Sequence, residues 1–380
     1  MTVGGVWWQA QNWAQGSLAL FPVGVFGFRE MKDIYVVGGQ LRKTVFRRLE
    51  EWQSCKRGLV IQLNPETRKS HTCVEYVSPP EVCAKDLPAI LFKSSTLKDQ
   101  KLYACTSTEV LVYELPSFRL ATYISLPCFN DLHHVYPSRD GTLLVAVTGL
   151  DMVVEVTTDG EIVREWDVLG EHLWVRFSRE IDYRRVPTTK PHRSHPNHVF
   201  QLENEIWVTR LQQRDAVCLT RPGRRIDIAV QRPHDGYLFG DMIYFTTVDG
   251  HVVMANRSTL QVEKTIDLNE LSASREILGW CRGVLPVNEH QIWVGFTRVR
   301  PTKFKENVSW IKQSNAQSRK RSHIALFDLQ RRTCLDEIPL EPYGIGVVFS
   351  LFPAAAGEAV IGESASSLDC DETQESFHRF

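Results

Sequence analysis

MVVEVTTDGEIVREWDV, residues 152–168, reads as an apolar strand, a polar turn at AspGly and a second strand. The same plan appears upstream in VIQLNPETRKSHTCVEY (60–76) and VLVYELPSFRLATYISL (110–126). It returns in AVCLTRPGRRIDIAV (216–230), HVVMANRSTLQVEKTIDL (251–268) and HIALFDLQRRTCLDEIPL (323–340). Six such units, at a period near the ~40–50 residues of a four-stranded blade, predict a single six-bladed β-propeller. The expected chain is all-β, its blades antiparallel and its ring closed by terminal strands. A propeller aims the first strand of every blade at one central channel. Residues distant in sequence but equivalent in the repeat therefore converge there.

The rest of the chain falls into place around these units. Alternating runs at 33–37, 143–147, 205–209, 242–246 and 291–295 read as second strands, each preceded by a turn-forming cluster. AspGly at 159–160 and ProGly at 222–223 read as hairpin turns between outer strands. YGIGVVFSLF (343–352) reads as the strand that closes the ring against the N-terminal blade. The propeller is expected over 1–362, followed by an acidic, Ser-rich tail at 363–380. Two insertions break the period, 170–193 and the basic 298–321. The first reads as a lid over the channel mouth or as a structured connector, the second as a solvated loop. Trp7, Trp8 and Trp13 read as packing for ring closure.

Length alone, at 380 residues, suggests two or three domains of about 150, but the repeat consumes nearly the whole chain as one unit. A net charge of −1 gives no global field toward nucleic acid or membrane, and neither is expected as a partner. No run approaches the ~20 apolar residues of a membrane span. The first residues lack the basic start of a signal peptide. Nine cysteines, an odd number without a CxxC pair, fit a reducing compartment, so a cytoplasmic protein is expected.

The chemistry is expected just upstream of the second strands. Successive blades there carry His133–His134, Asn197–His198, His234–Asp235 and Cys281–Arg282. One reading is a polar ring that only fills the channel. Another is a divalent-metal site for zinc, iron or manganese on His134, His198, His234 and Asp235, serving a hydrolase, lyase or isomerase. A third suits Arg282 better: histidines and a guanidinium form an anion pocket in which one neutral imidazole attacks as nucleophile. His134, His198, His234 and Arg282 are the candidate catalytic residues. His133, Asn197, Asp235, His195 and Lys190 are the candidate contacts to a small-molecule substrate. A propeller without catalysis, binding a partner protein on its flat face, is the remaining alternative.

DLHHVYPSRDGTLLVA (131–146) with its continuation at 152–166 resembles the HisHis-plus-AspGly strand pattern of bacterial arylsulfotransferase-like propellers, and SHPNHVFQLENEIWVTR (194–210) resembles the next such repeat. The likeness covers about a hundred residues. It implies a six-bladed propeller in which a channel histidine carries a sulfuryl group between phenols. By position it implies His134, His198, His234 and Arg282 as the sulfate-handling set, with His234, beside Asp235, favoured as nucleophile. Members of that family carry a signal peptide and, in the larger ones, a β-sandwich ahead of the propeller; neither is expected from residues 1–32 here. Propellers of the lactonase and NHL-repeat type are more distantly similar, with metal shells rich in carboxylate and Asn.

Overall fold

The computed structural model describes residues 32–43, 49–273, 276–299 and 320–354. Six four-stranded antiparallel sheets make the six blades of a propeller. The first blade takes its innermost strand, Val347–Pro353, from the C-terminal side and completes it with Ile34–Leu41, Cys55–Leu63 and Ser70–Tyr76. The ring is thus closed as the sequence implies. The other blades run in chain order outward from the channel, beginning with Thr96–Lys98, Leu132–Pro137, Pro196–Leu202, Pro233–Phe239 and Trp280–Pro286. Helical structure among the described residues is confined to single 3₁₀ turns. Trp7, Trp8, Trp13, most of the basic insertion and the acidic tail lie outside those residues.

The middle strands read as continuous apolar runs because each blade is covered on both faces. In Leu143–Val147, the side chains of Leu143, Val145 and Val147 pack against Val110, Val112 and Ile124 of the second blade. Leu144 and Ala146 turn the other way, onto Val199, Ile206 and Val208 of the fourth. The period-2 alternation of a strand therefore feeds two interfaces at once. Equivalent clusters fill the remaining gaps around the ring. Each fully buried aliphatic side chain is worth about 1.5–3 kcal/mol, so the ring is a rigid frame for its channel. Outermost strands such as Ile162–Asp167 and Val262–Asp267 face solvent along most of their length.

Where the ring closes, the backbones come very near. A Cβ on Gly38 would lie 1.9 Å from the Val347 carbonyl oxygen, so only glycine fits there.

A second regularity concerns the innermost strands. Their pairing slips by a bulge at one recurrent place: Leu132/His134, Pro196/His198, His234/Tyr237 and Arg282/Val284, and the closing strand slips between Val348 and Ser350. A bulge leaves one residue unpaired and re-aims its side chain. It sits, in five blades, beside the channel.

Candidate active site

The mouth of the channel at which the innermost strands begin holds a cavity of about 710 Å³. Every blade contributes to it near the start of its innermost strand. Lys93, Asp131, His133, His195, Arg232, Trp280, Arg282 and Phe349 all line it. Two connectors wall it in. One is the 170–193 insertion, from which Arg184, Thr188, Lys190 and His192 face the cavity. The other, unforeseen from the sequence, is the stretch between the first and second blades, which supplies Ala84 and Pro88 to Leu91, joined by Glu51 and Trp52. Its signal was the long, Pro-bearing interval between Tyr76 and Thr96.

The insertion is a built structure. The buried Asn130 side chain donates to the Tyr183 and Val186 carbonyls, both at 2.8 Å, and the Thr189 hydroxyl donates to the Gly149 carbonyl at 2.5 Å. Beyond it, the fully buried Asp151 carboxylate accepts from three consecutive backbone amides, Arg193 at 2.9 Å, Ser194 at 3.0 Å and His195 at 2.7 Å. Arg176 also donates to its Oδ2, the oxygen shared with the Arg193 amide, at 2.8 Å. Asp151 thereby fixes the backbone on which His195 stands. His195 and Asp131 both hold left-handed backbone, at φ 61° and 50°, each just ahead of an innermost strand. Such conformations cost of order 1–3 kcal/mol and persist only where the surroundings enforce them.

Five ionisable groups gather here, His133, His192, His195, Asp131 and Lys93. His133 Nδ1 donates to the Asp131 backbone carbonyl at 2.8 Å, since a carbonyl can only accept, and this leaves the lone pair on Nε2. Its ring lies edge-on to His195, centroids 4.6 Å apart. His192 and His195 set their Nδ1 atoms 2.8 Å apart. The Asp131 carboxylate is paired with the Lys93 ammonium and lies 3.9 Å from His192 Nε2. Burial holds His133 well below the usual imidazole range, and the charges of Lys93 and Arg282 push the same way. Burial likewise lowers His195 and His192. Burial works to raise Asp131, but Lys93, His133, Lys190 and His192 outweigh it, and its carboxyl stays well below the normal range. The mouth therefore combines neutral imidazoles with an ionised carboxylate. Six basic side chains line the cavity (Lys93, Arg184, Lys190, Arg232, Arg282, Arg298) against three acidic ones (Glu50, Glu51, Asp131).

The structure divides the residues singled out from the sequence. His133, His195, Lys190 and Arg282 line the cavity. His134 and His198 do not. They stack face to face between the second, third and fourth blades, ring centroids 3.6 Å apart. Both nitrogens of His134 are engaged: Nδ1 accepts from the Val199 amide at 3.1 Å, which makes Nε2 the donor to Thr96 Oγ1 at 3.1 Å. Asn197 donates to the Pro233 carbonyl at 2.7 Å. His234 receives Arg282 Nε at 3.4 Å, so it helps to place the guanidinium, which lies over the Phe349 ring at 4.4 Å. The Asp235 carboxylate turns to Thr246 Oγ1 at 2.6 Å and the Gly283 amide at 3.0 Å. No three of His134, His198, His234 and Asp235 bring donor atoms together as a metal site needs. The group that does so among the described residues is Asp131, His192 and His195. Asp131 and His192 were absent from the sequence-based site, although the HisXXHis spacing at 192–195 marks one of them.

The fold and this mouth define a six-bladed β-propeller with a basic, histidine-bearing cavity at one end of its channel. No protein-family model and no curated protein matches the chain. Among solved structures, a protein of unknown function from Bacteroides caccae is similar over 84% of this chain and 98% of its own, at 12% identity and a TM-score of 0.53. A streptogramin B lyase overlaps 82% of this chain and 89% of its own, at 11% identity and a TM-score of 0.43. A catalytically inactive virginiamycin B lyase from Staphylococcus aureus, with quinupristin, overlaps 80% and 85%, at 12% identity and a TM-score of 0.43. The first shares the propeller architecture, and none of the three carries chemistry over to this chain. No helix among the described residues is long and apolar enough to cross a membrane, and the eight cysteines among them are free thiols.

Proposed function

We propose that this propeller is an enzyme that binds a small aromatic anion at the channel mouth and transfers its anionic group through His133. One observation carries the reading. The cavity sets a neutral imidazole beside two cations, Lys93 and Arg282, within walls that include Trp52, Trp280 and Phe349. Aromatic walls suit an aryl group, and fixed cations suit the charge it bears.

Sulfuryl transfer, the activity implied by the arylsulfotransferase-like strand pattern, is the specific form proposed. With an aryl sulfate, His133 Nε2 attacks sulfur. An N–S bond forms as the S–O bond to the ring breaks, and the phenolate leaves with the electron pair. The oxygen of an acceptor phenol, giving its proton to solvent, then takes the sulfuryl group and restores the neutral imidazole. Lys93 and Arg282 stabilise charge on the sulfuryl oxygens and the leaving phenolate. His234 acts through Arg282 as a positioning residue.

The test is turnover of 4-nitrophenyl sulfate by the full chain in the presence of a phenol acceptor. Nitrophenolate release should vanish in His133→Ala and weaken in Arg282→Ala while both variants stay folded. A folded wild-type protein that neither turns over nor binds the ester at millimolar concentration overturns the reading.

A further inference from the structure

We infer that Asp131, His192 and His195 form a binding site for one divalent transition-metal ion in the wall of the same cavity. One donor atom from each lies within 4.8 Å of the other two. Two imidazoles and a carboxylate are the donor set preferred by the iron-to-zinc part of the first row.

The outer hydrogen bonds point the same way. The Thr189 hydroxyl spends its proton on the Gly149 carbonyl, so it accepts from His192 Nε2 at 3.3 Å. That leaves the lone pair of His192 on Nδ1, where it accepts from His195 Nδ1–H at 2.8 Å, a proton that a bound ion would displace. Two nitrogens bound to one ion at ~2.1 Å stand roughly 3 Å apart when they occupy adjacent positions. Metal-bound histidines characteristically donate their second nitrogen to an oxygen, as His192 does, and metal-bound carboxylates are themselves hydrogen-bonded, as Asp131 is to Lys93. His195 is held by its backbone through Asp151, and both His195 and Asp131 keep left-handed conformations. The backbone is thus set before any ligand arrives. An ion there adds a Lewis acid to the cavity already assigned to the substrate. The inference rests on that cavity being the site, and the ion's binding is measured apart from the substrate's.

The experiment uses the full chain, stripped with chelator and titrated with Zn²⁺ by calorimetry and with Co²⁺ by visible absorption. One saturable equivalent per chain is expected, with no thiolate-to-cobalt charge-transfer band. Asp131→Asn and His192→Gln should each weaken it at least ~10-fold. Absence of a saturable equivalent in the wild-type chain overturns the inference, as does a thiolate band or binding unchanged in both variants. Should a variant unfold by circular dichroism, the wild-type stoichiometry and spectrum decide alone. Binding of 4-nitrophenyl sulfate is measured in parallel on the metal-free chain. Anion binding without metal binding removes this site and keeps the proposed function; metal binding without anion binding does the reverse.

Discussion

Two groups of histidines, neighbours in sequence at His133 and His134, stand in very different surroundings. His134 and His198 form the interior pair: stacked, buried and, in the case of His134, hydrogen-bonded at both nitrogens to neighbouring blades. His133, His192 and His195 form the mouth group, with Asp131, facing a cavity lined by cations. The difference teaches that a one-residue bulge at the start of the innermost strand decides which of His133 and His134 faces the mouth. The interior pair ties blades together, and the mouth group lines the cavity.

The largest effect separating the two groups should come from His133→Ala. Loss of a nucleophile or base at the mouth is expected to cut turnover by at least ~10²–10⁴-fold, read from initial rates on a folded variant. Next comes Asp151→Ala. Removing a buried carboxylate that serves three backbone amides and Arg176 should cost about 3–5 kcal/mol in denaturant unfolding. Faster hydrogen exchange at 193–195 would locate the damage at the mouth. Arg282→Ala should weaken binding of 4-nitrophenyl sulfate by roughly 10–150-fold, the worth of a charged hydrogen bond of about 1.5–3 kcal/mol. Unchanged affinity in that variant would take the guanidinium out of the site.

The interior pair should show itself through acid. Burial pulls His134 down to about 3 and, together with the neighbouring His134 charge, lowers His198 well below the usual range. A group whose folded value lies below its unfolded one contributes stability that is present above the unfolded value. That stability is lost as pH falls, here from about 6.5 toward 3, by up to ~1.4 kcal/mol per pH unit for each histidine. His198→Phe keeps a ring for His134 to stack on and removes an unpartnered buried nitrogen. The variant should gain on wild type as pH drops from 6.5 to 5 in thermal unfolding, and turnover should be unaffected.

The smallest effect concerns Asp235, which burial raises to about 6. Its contribution is present below about 4 and lost as pH rises through 6, so Asp235→Asn should gain on wild type across that window by at most ~1.4 kcal/mol per pH unit. A difference that runs the other way would mean that the carboxylate is stabilised as an anion, as a site residue beside Arg282 would be.

The blades were legible because each strand feeds two interfaces, which prints its apolar run plainly. Leu143–Val147 begins and ends where the sequence pattern puts it, and the closing strand at Val347–Pro353 falls within the 343–352 reading but for its last residue. The site was legible only to the nearest residue or two. A bulge at His133 swaps which of two adjacent side chains reaches the mouth, and the sequence pair HisHis carries no mark of it. The same slip separates Asn197 from His198. Asp131 and His192 come together because a connector is folded over the mouth by Asn130 and Thr189, a tertiary event that no spacing within one strand encodes.

The most direct test of the division sets the two groups side by side: turnover of 4-nitrophenyl sulfate by His133→Ala and by His198→Phe, each confirmed folded. The account expects the first to be inactive and the second to match wild type. Activity retained in His133→Ala and lost in His198→Phe would contradict it and place the chemistry in the interior of the channel.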